Sequence, residues 1–388
     1  MLASILSSLV LATSALAAPL GIFTTFPTLV TRQENNSNSF NITYQSLGGS
    51  EYDSLPRLLI VATGGTIAGQ SASKTNSTAY TPGVVKISTL IDAVPELLKT
   101  AQIDGIQFSN IGSESLTDDI ALGLSKLSNK ALCAQDSQYD AVLITHGSDT
   151  LKETAFLLDM MVNCAKPVVV VGSMRPASAT SSDGPNNLLS AARTAVAPAF
   201  RNRGALIVLN DRICSAYYCQ KNGQNTVDTF TAPEFGFLAH LLSIEPVYHY
   251  PASQPLAKKT FDISSVEKLP PCEIFYGYQG SDWHLANASI ASGAKGLITA
   301  GTGAGSMTDA GKPYINAIIS QGIPVIRSSK IGNGFVVPQG NSLQLIASGS
   351  LNPVKALRML QVLLALNKTN EEIRAAFEEP LATQLSQF

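Results

Sequence analysis

The sequence predicts an α/β protein made of two α/β domains, a larger N-terminal one with an open sheet of mainly parallel strands and a smaller C-terminal one. Three observations support this prediction. Short apolar runs recur along the 388 residues, and each run ends in small or polar residues. Stretches with helical periodicity lie between the runs, and strand alternating with helix is typical of an α/β sheet. A proline-rich stretch interrupts this alternation once, and the same alternation resumes after it.

The N-terminal domain, residues 55–245, contains four apolar runs that we predict to be buried parallel strands. They are Leu58–Ala62, Ala141–Ile144, Val168–Val171 and Ala205–Leu209. Helical periodicity between them predicts helices over Leu151–Cys164 and Asn187–Ala197. Ligands of such sheets bind at the carboxyl ends of the strands, so the polar residues that follow each run are the first candidates for a site.

The periodicity fades over residues 246–270, which we predict to be a linker. Prolines accumulate in and just after this stretch, at Pro246, Pro251, Pro255, Pro270 and Pro271. The C-terminal domain, residues 271–388, then repeats the alternation with predicted strands at Ile274–Tyr276, Gly296–Ala300 and Pro324–Ile326. A terminal helix is predicted over about Val354–Leu366.

Residues 1–18 have the pattern of a secretory signal peptide. The apolar stretch Ile5–Leu16 leads into the small-residue site Ala15-Leu16-Ala17, although no Lys or Arg precedes it. A membrane anchor is the alternative, but this stretch is shorter than the ~20 residues that a membrane span needs. We therefore predict a protein secreted to the extracellular, cell-wall or periplasmic space and not inserted in a membrane. Residues 19–54, rich in Thr, Asn, Ser and Gln, are predicted to be a mobile extension or pro-segment.

The composition argues against two classes of partner. Lys and Arg number 26 against 28 Asp and Glu, which leaves no basic excess for binding nucleic acid. The four histidines show no metal-ligand spacing, so no metal is expected. Five acceptor sequons for N-glycosylation agree with secretion; they begin at Asn35, Asn41, Asn76, Asn287 and Asn367.

The first predicted strand ends in the segment Thr63-Gly64-Gly65-Thr66-Ile67-Ala68-Gly69. Its glycines allow a sharp turn and a close approach to a ligand, with N–H groups that could face developing negative charge. A phosphate-binding loop is the alternative, but the spacing of neither glycine-rich phosphate motif is present. The segment Gly301–Gly305 lacks these spacings too and is interpreted as a plain loop.

The second predicted strand ends in Thr145-His146-Gly147-Ser148-Asp149-Thr150, which places a hydroxyl beside a carboxylate. Such a carboxylate could bind a substrate ammonium or orient a base, whereas His146 is interpreted as a structural ring. Each of the two segments, taken alone, is also compatible with simple turn chemistry, because Gly, Ser and Asp favour turns.

Taken together, the segments Thr63–Gly69 and His146–Thr150 resemble the two signature motifs of the bacterial-type, secreted (type II) L-asparaginase family. The resemblance extends over nearly all of residues 56–366. It includes Asn110–Ser113, Val171–Pro176, Asp183–Pro185, Leu209–Asp211 and Ala347–Pro353. It implies an amidohydrolase without a cofactor, which converts L-asparagine to L-aspartate and ammonia through an acyl-threonine intermediate.

The resemblance also implies catalytic roles. Thr66 matches the nucleophilic threonine of the family, and Tyr80 matches the tyrosine placed against it. Ser148, Asp149 and Lys221 match the hydroxyl–carboxylate–lysine cluster that gives and takes protons. A threonine hydroxyl needs such neighbours because it is a poor nucleophile at neutral pH. Without the resemblance, Lys221 would be interpreted as a solvated loop lysine.

Substrate-binding residues follow from the same resemblance. Ser113 and Glu114 match the residues that hold the α-carboxylate and α-ammonium of the substrate, and Ser148 and Asp149 are expected to contact the substrate as well. The loop Gln70–Ala79 is rich in Ser, Thr and Asn, which suits a lid that closes over the substrate.

Three positions depart from the family pattern. Ser148 stands where the family usually has threonine. Gly280 lies near where some members place an asparagine or serine from the neighbouring subunit, and Ser281 could replace that residue. The segment Val337–Asn341 has no acid where the second subunit usually contributes a glutamate, a loss that Glu114 could offset. The balance between asparagine and glutamine as substrates therefore stays open.

The five cysteines admit several pairings. Cys133 and Cys164 fall where secreted members of the family carry a disulfide. Cys214 and Cys219 are close enough in sequence to close a short loop, which would leave Cys272 as the odd thiol.

The resemblance implies assembly as well. Members of the family are typically tetramers of tight dimers, so we expect a homotetramer with sites between subunits. Two alternatives to a specific asparaginase stay open: a broader glutaminase-asparaginase, and a catalytically silent amino-acid-binding protein on the same fold.

Overall fold

The computed structural model describes residues 29–35, 41–47, 50–339 and 344–386. The predicted signal peptide, residues 1–18, lies outside this range. Within it, the chain forms two α/β domains, which confirms the predicted fold class.

Twelve strands belong to the described part of the N-terminal domain. They are β1 (Leu29–Asn35), β2 (Asn41–Leu47), β3 (Arg57–Gly64), β4 (Gln102–Ile111), β5 (Ala141–Thr145), β6 (Val168–Val171), β7 (Ala205–Leu209), β8 (Arg212–Ser215), β9 (Gln220–Lys221), β10 (Phe230–Thr231), β11 (Ala239–Leu242) and β12 (Glu245–Tyr248). Ten of them form one sheet in the order β1-β2-β4-β3-β5-β6-β7-β8-β11-β12, and β9 and β10 form a separate ribbon.

The centre of the large sheet is parallel. Strands β4, β3, β5, β6 and β7 run in the same direction, and antiparallel strands continue the sheet on each side. The predicted runs correspond to β3, β5, β6 and β7, which are buried and therefore apolar throughout rather than alternating. Strand β4 was not predicted, because its sequence mixes Gln, Asp, Ser and Asn with apolar residues.

Two segments differ from their predicted description. Parts of the predicted extension, residues 19–54, lie in β1 and β2, and β2 pairs with β4 at the margin of the sheet. The predicted linker, residues 246–270, begins with strand residues, because β12 reaches Tyr248. Pro246 is compatible with β12 because β12 is an edge strand, where the missing N–H of proline disrupts no ladder.

Helices cover both faces of the large sheet. They are α1 (Ser50–Asp53), α2 (Ile87–Asp92), α3 (Asp118–Cys133), α4 (Leu151–Met161) and α5 (Gly184–Val196). Helices α2 and α5 pack on one face, and α3 and α4 pack on the other. Helix α4 ends three residues before the predicted Cys164, because Val162 already has an extended backbone. Helix α5 begins before the predicted Asn187, with a proline in its first turn.

The C-terminal domain has a four-stranded parallel sheet in chain order. Its strands are β13 (Cys272–Tyr276), β14 (Gly296–Gly301), β15 (Val325–Ser329) and β16 (Ile346–Ala347), and its helices are α6 (His284–Ala291), α7 (Lys312–Ile319), α8 (Pro353–Ala365) and α9 (Asn370–Leu385). Helix α9 was not predicted, although the capping box formed by Thr369 and Glu372 signals its start.

Helix α8 joins the two domains. Its apolar residues Met359 and Leu363 belong to the same buried cluster as Phe156 and Met160 of α4 in the N-terminal domain. The C-terminal sheet contributes Ile298 to this cluster. The domains therefore share an apolar core, so the positions of N-terminal residues depend on the C-terminal domain.

The cysteines are partly as predicted. Cys133, the last residue of α3, forms a disulfide with Cys164, which follows α4. Cys214 and Cys219 are free, buried thiols, so the short loop between them is not closed by a disulfide. Burial and the neighbouring thiol of Cys219 raise the pKa of Cys214 well above its usual value, which keeps the Cys214 thiol protonated. Cys272 is a free thiol, as expected.

Candidate active site

Three neighbouring strands of the large sheet end beside one another. Ala62 of β3 is in register with Thr145 of β5, and Gly64 is in register with Ile111 of β4. Because parallel strands have their carboxyl ends at the same edge, the loops after β3, β4 and β5 meet there. This edge carries Thr66 and, after β4 and β5, most of the other residues that the sequence analysis selected.

The glycines bring the loops after β3 and β5 into contact. Gly65 has a φ of 77° and its amide donates to the carbonyl of Ile111 over 2.8 Å. A Cβ atom on Gly65 would lie 2.2 Å from Cα of Gly147, so no side chain fits between the two backbones. The N–H of Gly65 is thus already hydrogen-bonded within the protein. A glycine at this position allows close packing of the two loops rather than providing a free N–H.

Thr66 lies in a short 3₁₀ turn, Thr66–Ala68, and is only 6% exposed. Its hydroxyl is 2.7 Å from the hydroxyl of Tyr80. The ring of Tyr80 lies against Gly69, where a Cβ atom would be 2.8 Å from it. The structure therefore brings together Thr66, the predicted nucleophile, and the tyrosine that was predicted to be placed against it.

The loop Gln70–Ala79 lies between these two residues in the chain. Gln70 and Thr81 form an antiparallel bridge at its base. The amide of Ser71 donates to the hydroxyl of Ser178 over 2.8 Å, so the loop contacts the segment after β6. The side chain of Asn76, a predicted glycosylation site, accepts hydrogen bonds from the loop itself.

Ser148, Asp149 and Lys221 form the second group of the site. The ammonium of Lys221 donates to the hydroxyl of Ser148 over 2.9 Å and to a carboxylate oxygen of Asp149 over 2.6 Å. Ser148 is 5% exposed, whereas the carboxylate of Asp149 faces solvent. A lysine between a buried hydroxyl and an accessible carboxylate can pass a proton in either direction.

Ser113 and Glu114 lie in the turn that follows β4. The hydroxyl of Ser113 accepts a hydrogen bond from the amide of Asp149 over 3.2 Å, and its carbonyl accepts from the hydroxyl of Thr150 over 2.8 Å. Ser113 is therefore fastened to the loop after β5. Glu114 is exposed, and its side chain folds back over Gly112. Thr150, which holds this arrangement, belongs to the second motif but was not predicted to be a site residue.

His146 is a structural residue, as interpreted from the sequence. It is fully buried, with Nδ1 2.7 Å from the carbonyl of Gly147 and Nε2 2.9 Å from the hydroxyl of Thr154. A carbonyl can only accept, so Nδ1 carries the hydrogen and Nε2 accepts. Burial lowers the pKa of His146 to about 4, which keeps the ring neutral.

Two of the three positions that depart from the family pattern lie in the C-terminal domain. Gly280 has a φ of 80° in the turn after β13, and the hydroxyl of Ser281 donates to the carbonyl of Tyr278 over 2.8 Å. Residues 340 and 341 lie outside the described residues. No group of three His, Cys, Asp or Glu that could hold a metal occurs in the described part of the chain. None of the helices described here is long and apolar enough to cross a membrane.

Comparison with known proteins identifies the chain's relatives. The family model for the N-terminal domain of asparaginase matches residues 57–254, and that for the C-terminal domain of glutaminase/asparaginase matches residues 272–377. The chain is 44% identical to L-asparaginase 2 of Bacillus subtilis over 86% of this chain and 89% of the relative. It is 45% identical to probable L-asparaginase 1 of Schizosaccharomyces pombe over 80% of this chain and 85% of the relative.

A solved structure agrees with these sequence matches. The crystal structure of a probable cytoplasmic L-asparaginase from Campylobacter jejuni superposes with a TM-score of 0.79 at 34% identity. The superposition covers 83% of this chain and 99% of that one. Since the matches include both domains and the strand ends that carry the site, the chain belongs to the asparaginase family.

Proposed function

We propose that this chain hydrolyses L-asparagine to L-aspartate and ammonia, with Thr66 as the nucleophile. The observation that carries the proposal is the 2.7 Å contact between the hydroxyls of Thr66 and Tyr80 at the edge where the loops after β3 and β5 touch. A buried threonine with a hydroxyl partner, beside a lysine–carboxylate pair, has the composition of an acyl-transfer site. The asparaginases among its relatives support the same substrate.

The reaction has two halves. In the first, the oxygen of Thr66 bonds to the side-chain amide carbon of asparagine, its proton leaves through Tyr80, and the C–N bond breaks as the nitrogen takes a proton and departs as ammonia. In the second, a water molecule attacks the acyl group, gives up a proton, and Thr66 leaves with a proton restored. Ser148, Lys221 and Asp149 are the groups that accept and return a proton in these steps.

Ser113, Glu114 and Asp149 supply the groups for recognising the free amino acid. The carboxylates of Glu114 and Asp149 suit the α-ammonium, and the hydroxyl of Ser113 suits the α-carboxylate. The amide of Asp149 already holds the hydroxyl of Ser113, which sets these groups in one arrangement.

Glutamine is the second candidate substrate. It differs from asparagine by one methylene, which a binding site distinguishes by only about 1–3 kcal/mol. The model for the C-terminal domain covers glutaminases as well as asparaginases, which favours some activity toward glutamine.

Export is proposed from the sequence and one structural feature. Residues 1–18 have the pattern of a signal peptide, and the disulfide between Cys133 and Cys164 suits an oxidising compartment. Among the relatives, the Haemophilus influenzae protein is a probable periplasmic L-asparaginase, whereas the Campylobacter jejuni structure is of a probable cytoplasmic one. Sequencing the N-terminus of protein collected from the medium tests the proposal, and a chain that begins at Met1 and stays in the cell would contradict it.

Ammonia release from asparagine and from glutamine tests the proposed activity. The Thr66→Ala variant is expected to lose at least about a thousandfold in kcat with asparagine, because it removes the hydroxyl that is proposed to form the acyl intermediate. Thr89→Ala, which removes an exposed threonine from α2, is the matched control and should retain the wild-type rate.

The outcomes separate the alternatives. Turnover of asparagine that depends on Thr66 supports the proposal, and the relative rate with glutamine decides between a specific and a broader enzyme. A folded wild-type protein that binds asparagine by calorimetry but releases no ammonia would be a binding protein. Full activity in Thr66→Ala would exclude this residue as the nucleophile.

A further inference from the structure

Helix α8 carries a buried polar stripe that faces the N-terminal domain. Lys355, Arg358 and Gln361 are spaced three residues apart, so they lie on one side of the helix, and all three are buried. Arg358 and Gln361 bind the same carboxylate, that of Asp118 at the start of α3. Arg358 is also 3.6 Å from a carboxylate oxygen of Glu153 on α4. These two residues thus fasten α8 to α3 and α4.

Lys355 has a different set of partners. Its ammonium donates to the carbonyl of Ala216 over 2.9 Å, to that of Tyr217 over 2.7 Å and to that of Cys219 over 2.8 Å. All three of its protons are used, and the side chain is 2% exposed. A buried lysine is rare and costs free energy, so its contacts with one short turn identify that turn as the feature it stabilises.

The turn at residues 216–219 leads directly to Lys221. It connects β8 to β9, and β9 contains only Gln220 and Lys221. Strand β9 pairs with the two residues of β10 and with no other described strand. A ribbon of this size is marginally stable by itself, so the position of Lys221 depends on what holds the preceding turn.

The C-terminal domain supplies a second restraint to the same segment. The side-chain amide of Gln220 donates to the carbonyl of Gly332, in the loop after β15. Lys221, next in the chain, reaches Ser148 and Asp149 from this segment. A catalytic group that is misplaced by about 1 Å can lose about a hundredfold in rate.

We propose that Lys355, in the C-terminal domain, is a positioning residue for Lys221. Its ammonium donates to three carbonyls of the turn at 216–219 and so holds Lys221 in place to contact Ser148 and Asp149. This inference rests on the proposed function, because it gives the contact a role in the same reaction. Lys355 acts through the backbone of the turn and has no contact with the predicted nucleophile.

The protonation state of Lys355 makes this role sensitive to pH. Burial is the main cause that lowers the pKa of Lys355 to about 8; Cys219, Cys214 and Asp159 oppose this shift, and the charge of Lys152 adds to it. The ring of Phe156 on α4 completes its surroundings, with its centre 5.7 Å from the ammonium. The neutral amine has only two N–H groups for three carbonyls, so the turn loses a restraint as the pH rises through the pKa of Lys355.

Substitutions of Lys355 and Arg358 distinguish a role of Lys355 in positioning Lys221 from a merely structural role. Lys355→Met is expected to lower kcat for asparagine at least about tenfold near pH 7, with KM changed by less than about twofold. The ratio of wild-type to variant kcat should fall as the pH is raised to about 9, because the wild type then loses the same restraint. Arg358→Met removes a buried cation from the same side of α8 and should lower the melting temperature. The ratio of wild-type kcat to Arg358→Met kcat should not change with pH.

Lys355→Arg provides the conservative variant. Its guanidinium keeps the charge and the donors but does not deprotonate in this range, so its kcat should not decline near the pKa of Lys355. The proposal would be overturned if kcat of Lys355→Arg declined at alkaline pH as kcat of the wild type does. It would also be overturned if Lys355→Met and Arg358→Met lost kcat equally. If Lys355→Met does not fold, the wild type and Lys355→Arg still decide the question by the shapes of their pH profiles.

Hydrogen exchange separates this inference from the proposed function. The amides of Cys219 and Asn222 donate to Ser215 and Thr229 within the segment that Lys355 holds. They should exchange faster in Lys355→Met than in Arg358→Met, whether or not asparagine is hydrolysed. If these amides exchange faster in Lys355→Met but the wild type releases no ammonia, the proposed function alone is refuted. If the wild type is active but exchange in Lys355→Met is no faster than in Arg358→Met, the positioning role alone is refuted.

Discussion

Individual residues of the site differ in how their burial serves the chemistry. Thr66 and Ser148 are buried hydroxyls, while Asp149 faces solvent and is neutralised by Lys221. His146 lies one residue after β5, close to the same groups, yet both of its ring nitrogens are occupied by Gly147 and Thr154. Proximity to the site therefore does not make this histidine a base, because its hydrogen bonds and its low pKa hold it neutral.

His146 should make the folded protein sensitive to acid. Its pKa is about 4 in the folded chain and about 6.5 when unfolded, so between these pH values the unfolded chain binds a proton that the folded chain does not. The free energy of unfolding is expected to fall by up to about 3 kcal/mol as the pH drops through this window. Urea denaturation across the window measures it.

His146→Gln is the variant that isolates this contribution. It should be less stable than the wild type near neutral pH but lose less stability on acidification, whereas His284→Gln, which changes a histidine on α6, should follow the wild type. An identical pH dependence in His146→Gln and the wild type would assign the acid sensitivity to other groups.

The secondary-structure elements position the predicted catalytic residues through loops that are short or held by contacts with neighbouring loops. The loops after β3, β4 and β5 begin at one edge of the sheet, and Gly65 and Gly147 let two of them touch. The disulfide between Cys133 and Cys164 ties the end of α3 to the segment after α4, at the opposite end of α4 from the site loop. It closes the chain over a separation of 31 residues without contacting the site.

Removing this disulfide should reduce stability but not catalysis. A loop of this length corresponds to about 3–4 kcal/mol in the chain-entropy model, so the double variant Cys133→Ser with Cys164→Ser should have a clearly lower melting temperature. Its kcat at a temperature where it stays folded should equal that of the wild type. A matching loss of kcat would mean that α3 and α4 transmit strain to the site, contrary to this expectation.

At the scale of the whole molecule, the C-terminal domain presents apolar side chains where its parallel strands end. Tyr276 is the last residue of β13, Tyr278 follows two residues later and Ile331 follows β15. These side chains are 57%, 49% and 54% exposed, respectively. The carboxyl ends of β13 and β15 lie at one edge of the sheet, so these residues share that edge. Exposed apolar residues at one edge favour an interface. We propose that this interface joins copies of this chain in the homotetramer that the family resemblance implies.

Light scattering coupled to gel filtration tests the assembly. The wild type is expected to elute at four times the chain mass, and the combined change Tyr276→Glu with Ile331→Glu should reduce that mass, because it places charges in an apolar interface. Leu385→Glu, at the end of α9, is the control. A wild-type protein that elutes with the mass of one chain would contradict the proposed tetramer.

Local patterns predicted much of the fold and of the candidate site. The buried strands β3, β5, β6 and β7 are apolar throughout, so they can be located in the sequence without knowing which strands they pair with. Strand β4 was not predicted because its polar residues interrupt the run of apolar residues by which the other buried strands were identified. Helix α9 was not predicted because Pro380 and many exposed polar residues obscure its helical periodicity. Thr66 and Tyr80 were selected from motifs, and the structure brings their hydroxyls together.

The amino-acid sequence alone was enough to predict the two α/β domains, the strand ends that carry the candidate site and, through the resemblance, the candidate site residues. Which distant groups meet became visible only in the folded chain. Lys221 binds Asp149 across 72 positions, and Lys355 reaches the turn before Lys221 across more than 130. No local pattern encodes such pairs, because they depend on how helix α8 packs between the domains. The thiol state of Cys214 and Cys219 was likewise decided by packing, since nearness in sequence does not by itself form a disulfide.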